Sequence, residues 1–408
     1  MTISMHTIRA SIGVAGGNSV SLKSARLSLD ESWSPYVQGE LVLPIGDSDF
    51  LAALDPREDV RAQITLVQTF GDSGPLSELT ARYAGSVKAI TAAFTGSVTA
   101  LSADGFTPWN SFGRRNSTTR SFDLGVRRRA IRYGSADVEL PIASDEALLQ
   151  DYALVATESL RTGILSVREL VGFVLAKIGR HLEPGTADAA VAPEASVWNP
   201  GTFGWAFLAP IVQASALRLW CDELRRWHLT GDEEAPDLGA LVLSSEGTIT
   251  DASNVIDRDG DWCDAVVITY RWKDALGIDQ VAYDTAETDG FSKVKTIDFT
   301  NTPYPGPGAA SRVLARSQGR GQVFEVEAVS DYSATPGQPV SVNIAGALAQ
   351  AGYVGSVSWA WPADEMRVTT RGLFEIPNDA WLYMPDSIRW NDLPADTTWN
   401  TLDPKGMV

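Results

Sequence analysis

The stretch from Glu325 to Thr370 limits most tightly what this chain can fold into. Phe324, Val326 and Ala328 alternate with Glu325 and Glu327, the period of a strand with one face buried. At Pro336-Gly337, proline presets φ for the second turn position and glycine accepts positive φ. Val340, Val342 and Ile344 then alternate with Ser341 and Asn343. Tyr353, Gly355, Val357, Trp359 and Trp361 share one register. After a turn over Pro362, Ala363 and Asp364, the period returns in Met366, Val368 and Thr370. Short strands joined by tight turns must close on themselves or face a partner sheet to bury their apolar side. The expectation is a small β-barrel with no catalytic group inside.

The rest of the chain divides around this stretch. Its 408 residues allow two to four domains with separate cores. Residues 1–105 read as strands. Ala25, Leu27 and Leu29 alternate with polar neighbours, as do Val37, Gly39, Leu41 and Leu43, then Val60, Ala62, Ile64 and Leu66. Tyr83 to Ala89 and Phe94 to Leu101 continue the pattern, which suggests a first barrel or sandwich. Residues 106–237 change to helical signals and read as an insert. Ser144, Asp145 and Glu146 start a helix with Leu148, Tyr152 and Val155 on one face. Ser166 and Glu169 form a capping box ahead of Val167, Leu170, Val171, Val174, Leu175 and Ile178, and Gly179 ends that helix. Glu183 to Pro200 reads as an exposed loop. Pro210 opens a third helix with Leu217, Trp220, Leu224 and Trp227 on one stripe. Residues 238–372 return to strands around Ala265 to Trp272, with a short helix over Ala309 to Ser317 whose Arg312 and Arg316 point outward. Residues 373–408 form an irregular arm: Pro377, Pro385, Pro394 and Pro404 exclude long elements, and Trp381, Trp390 and Trp399 need a dry surface in this chain or on a neighbour. The fold class is therefore mixed and mainly β.

Catalytic and metal-binding patterns are weak. Asp257 to Asp261 resembles a calcium loop, but its twelfth position is Ile268 where a bidentate glutamate is required. His6, His181 and His228 stand in no ligand spacing, and His228 reads as a helix-end residue. Gly16-Gly17 and Gly319 to Gly321 match neither a P-loop nor a dinucleotide fingerprint, and no nucleophile elbow occurs. With 51 acidic residues, chance carboxylate pairs are expected, so they do not argue for a glycosidase. Cys221 and Cys263 cannot form a disulfide framework and read as buried thiols. The expectation is no enzyme, no cofactor and no metal. The first residues lack the long apolar core of a signal peptide, and no run reaches the length of a membrane span, so synthesis and folding in a cytoplasm are expected.

One charge anomaly stands out. The net charge is −18, which disfavours general binding to nucleic acid or anionic membranes. Yet Arg114, Arg115, Arg120, Arg127, Arg128, Arg129 and Arg132 crowd one segment against Asp123 alone. Three readings stay open: a solvated hairpin whose arginines pair with acids elsewhere in the chain, a seam between subunits, or a DNA contact in a lumen.

Two matches carry a resemblance. Pro336-Gly337-Gln338-Pro339-Val340, then Gly352 to Trp361, then Arg367 to Thr370 resemble the second barrel of bacteriophage tail hub proteins. Glu139 to Tyr152 is similar to minor tail proteins of siphophages that infect actinobacteria. The resemblance implies two tail-tube-like β-barrel domains and three copies per hub, so that six barrels form a pseudo-sixfold ring. It implies a virion protein of the tail tip that joins a hexameric tube to a threefold tip and lines the DNA ejection channel. The implied partners are a homotrimer, the distal tail protein ring, the tape measure protein and central tip fibre or spike proteins. Phage DNA would pass without specific binding, with no membrane involved. The interface candidates are Arg114, Arg115, Arg127, Arg128, Arg129, Trp381, Trp390 and Trp399. The alternative is a receptor- or carbohydrate-binding minor tail protein whose late tryptophans stack on sugars. A C-terminal cell-wall hydrolase is disfavoured, because 373–408 is shorter than the roughly 50 residues at which domains begin.

Overall fold

The computed structural model describes residues 3–13, 17–71, 117–231, 240–245, 248–258, 262–274, 277–300, 302–319, 321–345 and 350–375. The chain opens with β1 (Ile3–Gly13), β2 (Asn18–Val20), β3 (Ser24–Asp30) and β4 (Val37–Pro44). A short helix α1 (Ser48–Ala53), capped by the Asp47 carboxylate on the Phe50 N–H, leads to β5 (Arg61–Gly71). Then come β6 (Ser117–Val126), β7 (Ala130–Arg132) and β8 (Asp137–Ala143). The strand readings at Tyr83 to Leu101 lie outside the described residues.

A helical unit follows: α2 (Glu146–Asp151), β9 (Leu160–Arg161), α3 (Val167–Lys177), β10 (Val197–Trp198), α4 (Gly204–Ala214), β11 (Leu217–Cys221) and β12 (Trp227–Gly231). After β13 (Leu241–Ser244) and β14 (Ile249–Ile256), a second small unit comprises β15 (Ala265–Lys273), β16 (Asp279–Glu287), β17 (Val294–Thr300) and α5 (Ala309–Gln318). The chain ends, as described, with β18 (Gln322–Val329), β19 (Pro339–Asn343), β20 (Gln350–Trp361) and β21 (Glu365–Glu375).

The strands outside the two small units join into one sheet, with the path β14-β18-β21-β20-β3-β4-β8-β6-β5-β1-β2. The N-terminal and C-terminal strand groups therefore meet through β3 and β20, with Leu29 opposite Val357 and Leu27 opposite Trp359. The alternation works as the sequence suggests: Leu27, Leu29, Leu41, Ile64, Val326, Val357 and Val368 all enter one core. Burying each such side chain fully contributes about 1.5–3 kcal/mol. The expected pair of closed barrels is not what the described residues form. Their pairing path is open, because the halves share the β3–β20 seam instead of each closing on itself.

Two separate cores lie beside the sheet. One, in the helical unit, gathers Leu149, Leu170, Val174, Trp198, Leu208, Cys221 and Trp227. The other packs Val266, Ile268 and Tyr270 of β15 beneath Ala309, Ala310 and Leu314 of α5. In that unit β16 is antiparallel and β17 parallel to β15. Strands β6, β7 and β8, within the stretch read as helical insert, belong to the large sheet.

Several local expectations hold. The Ser166 hydroxyl accepts the Glu169 N–H and caps α3, whose Val167, Leu170, Val171, Val174 and Leu175 are buried. Gly337 has φ 83°, as its turn requires, and its N–H bonds to Val354 O at 2.7 Å. Both cysteines are free and buried.

Others are corrected. Pro210 lies inside α4 and does not open it. Leu217, Trp220, Leu224 and Trp227 form no helical stripe: β11 and β12 make a hairpin in which Leu217, Leu219, Cys221, Trp227 and Leu229 point inward with period 2. Positive φ at Ala216 and Arg225 breaks any helix there. Helix α2 stops at Asp151, so Val155 is 96% exposed and shares no face with Leu148. The stretch Glu183 to Pro200 is not simply a loop, for Val191, Ala195 and Trp198 are buried. His228 lies on β12, not at a helix end. Arg312 turns inward and donates to Leu217 O. The single register assigned to Tyr353, Gly355, Val357 and Trp359 is broken by a bulge between Val354 and Ser356, so Val354 is buried and Tyr353 faces out.

Candidate assembly surface and its supporting junction

The largest concentration of buried charge lies where the helical unit meets the large sheet. Asp145, just before α2, is 2% exposed. Its Oδ1 accepts Arg61 Nη1 at 3.0 Å, and its Oδ2 accepts Arg180 Nε at 2.6 Å and Arg225 Nε at 2.9 Å. Arg61 comes from β5, Arg180 follows α3, and Arg225 sits in the β11–β12 turn. One anion thus ties three cations from three elements. Burial alone would raise the Asp145 carboxyl, but Arg61, Arg225 and Arg180 together hold it below the ordinary carboxylate range. Arg61 also reaches Asp59 at 2.7 Å, which balances part of the surplus positive charge.

Glu146 is buried beside it and is met by donors. Its Oε2 accepts the Ser34 hydroxyl at 2.7 Å and the Tyr36 N–H at 3.1 Å, and its Oε1 accepts the Cys221 N–H at 2.8 Å. Burial pushes this carboxyl up to about 7 against the pull of Ser34, Cys221, Arg218 and Tyr36. The Cys221 thiol is pushed up as well, by burial and by Asp145 and Glu146. That thiol is held protonated and is structural. The junction therefore fastens elements together.

The arginine-rich segment divides by environment. Arg114 and Arg115 lie outside the described residues. Arg120 is drawn into the chain: its Nη2 is 2.8 Å from Glu223, its Nη1 donates to Ala334 O at 2.6 Å, and its guanidinium lies 5.1 Å from the Trp359 ring. Arg127 pairs with Asp151. Arg129 donates to Leu51 O. Arg132 bonds Glu139 at 3.0 Å. Arg128 is exposed and makes no ion pair among the described residues. Four of the segment's arginines thus engage acids or carbonyls of their own chain, as a solvated hairpin would. Trp381, Trp390 and Trp399 lie outside the described residues.

Among the described residues no group of three or more His, Cys, Asp or Glu could hold a metal ion. No described helix is long and apolar enough to cross a membrane. The junction was not foreseen, because a single chain shows no link between Asp145 and arginines 84, 35 and 80 positions away. The one available signal was Arg61 at the head of a strand otherwise built for a core.

No protein-family model matches the chain, and no curated protein matches its sequence. Solved structures match its fold. A tail protein from Neisseria meningitidis MC58 superposes with a TM-score of 0.52 at 12% identity, over 90% of this chain and 96% of that one. The 43 kDa tail protein of prophage MuSo2 from Shewanella oneidensis gives 0.51 at 10% identity, over 89% and 97%. Both likenesses run through nearly the whole of each chain.

Proposed function

We propose that this protein is a structural component of a phage tail. The observation that carries the reading is the whole-chain fold shared with two proteins described as tail proteins. In the finer form, three copies build a hub at the tail tip, and each contributes two tube-like β units from 1–105 and 238–372. The hub joins the hexameric tube and distal tail protein ring to a threefold tip. The tape measure protein and central fibre or spike proteins are its neighbours, and DNA leaves through its lumen. Its place is the virion, after assembly in the host cytoplasm.

The open sheet supports a ring. At one end of the pairing path lies β14, eight residues with no proline and only Asp251 charged. Among the described residues nothing pairs with its outer edge. An edge left so unprotected invites pairing with another chain, and closed symmetry covers such edges. The net charge of −18 suits a lumen past which DNA slides without adhering. Arg128 and the three late tryptophans are the proposed contacts with neighbouring copies or partners.

The test combines the mass of the purified protein by light scattering with its position in isolated tails by cryo-electron microscopy. The expected result is a trimer around a hollow axis with an acidic lumen. A stable monomer absent from the tail axis overturns the hub.

A further inference from the structure

The outer face of the large sheet carries a shallow cavity of about 190 Å³ where β3, β20 and β21 run side by side. It is smaller than the roughly 300–1,000 Å³ clefts that enclose drug-sized ligands. Its floor is hydroxyl-rich. Ser28 stands opposite Ser358, and Ser356 stands opposite Thr369 on β21. Its wall is Trp33, 52% exposed, from the tight loop between β3 and β4. That loop is rigid: Trp33 N–H bonds Asp30 O at 3.3 Å, Ser32 N–H bonds Asp30 Oδ1 at 2.7 Å, and Glu31 N–H bonds Gly355 O at 3.2 Å. The backbone that carries the indole is thus fixed beside a polar floor. Arg26, Leu29, Asp30, Val357 and Arg367 complete the lining.

The charges select the ligand. Arg367 is already shared between Glu327 at 2.7 Å and Glu365. Counting Arg26 and Arg367 against Asp30, Glu327 and Glu365, the formal balance at the cavity is −1, within a chain of net charge −18. A phosphate or nucleic-acid backbone is repelled there. A wholly apolar ligand would leave the hydroxyl floor without partners. A neutral polyol with one apolar C–H face meets both conditions: the face lies on the indole, and its hydroxyls pair with serine, threonine, carboxylate and guanidinium groups.

We propose that this cavity binds one ring of a neutral saccharide, with Trp33 as the stacking platform and Ser28, Ser356, Ser358 and Arg26 as hydrogen-bonding partners. The site does not depend on the hub reading and makes no use of the late tryptophans.

The test uses the full chain. Hexasaccharides of glucose, galactose, mannose and N-acetylglucosamine are titrated separately by calorimetry and by saturation-transfer NMR. The expected result is saturable binding of at least one of them with Kd of 10 mM or tighter (on the order of 3 kcal/mol). Trp33→Ala should weaken it about 10-fold or more, and Arg26→Ala a few-fold. Arg26 is exposed, so its removal keeps the proposal testable should the tryptophan variant fail to fold. Inorganic phosphate should not compete. Absence of binding by all four sugars, binding unchanged in both variants, or displacement by phosphate overturns the proposal. So does a Trp33→Ala change that alters the number of subunits per particle with no saccharide bound, which marks the surface as a protein contact.

Discussion

The helical unit and the three-stranded unit both sit against the large sheet, but different chemistry fastens them. The helical unit is held by a buried ion, Asp145 among Arg61, Arg180 and Arg225, and by a buried carboxyl, Glu146, among the donors of Ser34, Tyr36 and Cys221. The three-stranded unit is held by guanidinium-to-carbonyl bonds from α5: Arg312 donates to Leu217 O of the helical unit, and Arg316 donates to Glu31 O, just after β3 of the large sheet, at 3.1 Å. Arg371 pairs with the Glu31 side chain nearby, with one contact at 2.9 Å. The difference lies in what is left when one partner goes. A lost carboxylate leaves three cations together at a partly buried site, with Asp59 beside Arg61 and Asp123 beside Arg225. A lost Arg316 guanidinium takes one donor from the neutral Glu31 carbonyl at a part-buried edge. The first joint is specific and brittle, and the second is tolerant.

The sharpest way to break the comparison is Asp145→Ala. Removing the shared anion leaves Arg61, Arg180 and Arg225 facing one another, and the expected loss is about 3–5 kcal/mol in urea unfolding. Acid should mimic part of it. The folded Asp145 holds its charge below its ordinary 3.8, so its contribution is present above that value and fades as pH falls through the lower folded one. A cost under about 1 kcal/mol would show the joint to be ordinary.

Glu146 gives the opposite sign. Folded, it keeps its proton to about 7, against an ordinary 4.5. Between those values the folded chain binds more protons than the unfolded one, so stability falls as pH rises. Its contribution is full below 4.5, is lost by about 7, and amounts to about 3 kcal/mol over that window. Glu146→Gln cannot ionise, so the stability advantage of the unaltered protein over this variant should shrink between pH 4.5 and 7. Parallel stability curves for the two proteins across that window would exclude the titration. Arg316→Ala tests the second joint. About 1 kcal/mol is expected for the loss of its bond to Glu31 O.

The reach of the sequence follows the same division. Alternation in β3, β4, β5, β18 and β21 was readable because each residue's face depends only on its neighbours. The cap on α3 was readable for the same reason. The bulge in β20 was not, since it arises from pairing with β21, and a slip there sends Tyr353 outward. The β11–β12 hairpin was misread because Leu217, Trp220, Leu224 and Trp227 satisfy a helical spacing by coincidence, while two positive-φ residues that carry side chains set the turns. The division into barrels depends on whether the second edge of β3, opposite β4, pairs within its own half or with β20, a choice made in three dimensions. The arginine segment was visible as a cluster, but its partners Glu223, Asp151 and Leu51 lie elsewhere in the chain.

That last point yields the smallest expected effect on stability and the finest test. Arg128 is exposed and makes no ion pair among the described residues, so Arg128→Ala should change unfolding free energy by no more than about 0.5 kcal/mol. Arg127→Ala, which loses a pair with the exposed Asp151, should cost less than about 1 kcal/mol. If the segment lies at a boundary between copies, charge reversal at Arg128 repels the acidic neighbour it would otherwise meet. Arg128→Glu should then lower the subunit-averaged mass at a fixed protein concentration while leaving the unfolding curve of the monomer in place. The two readouts separate the cases. A fall in mass without a fall in stability makes Arg128 an interface residue. An unchanged mass makes it a solvated one, and the seam must be sought along β14.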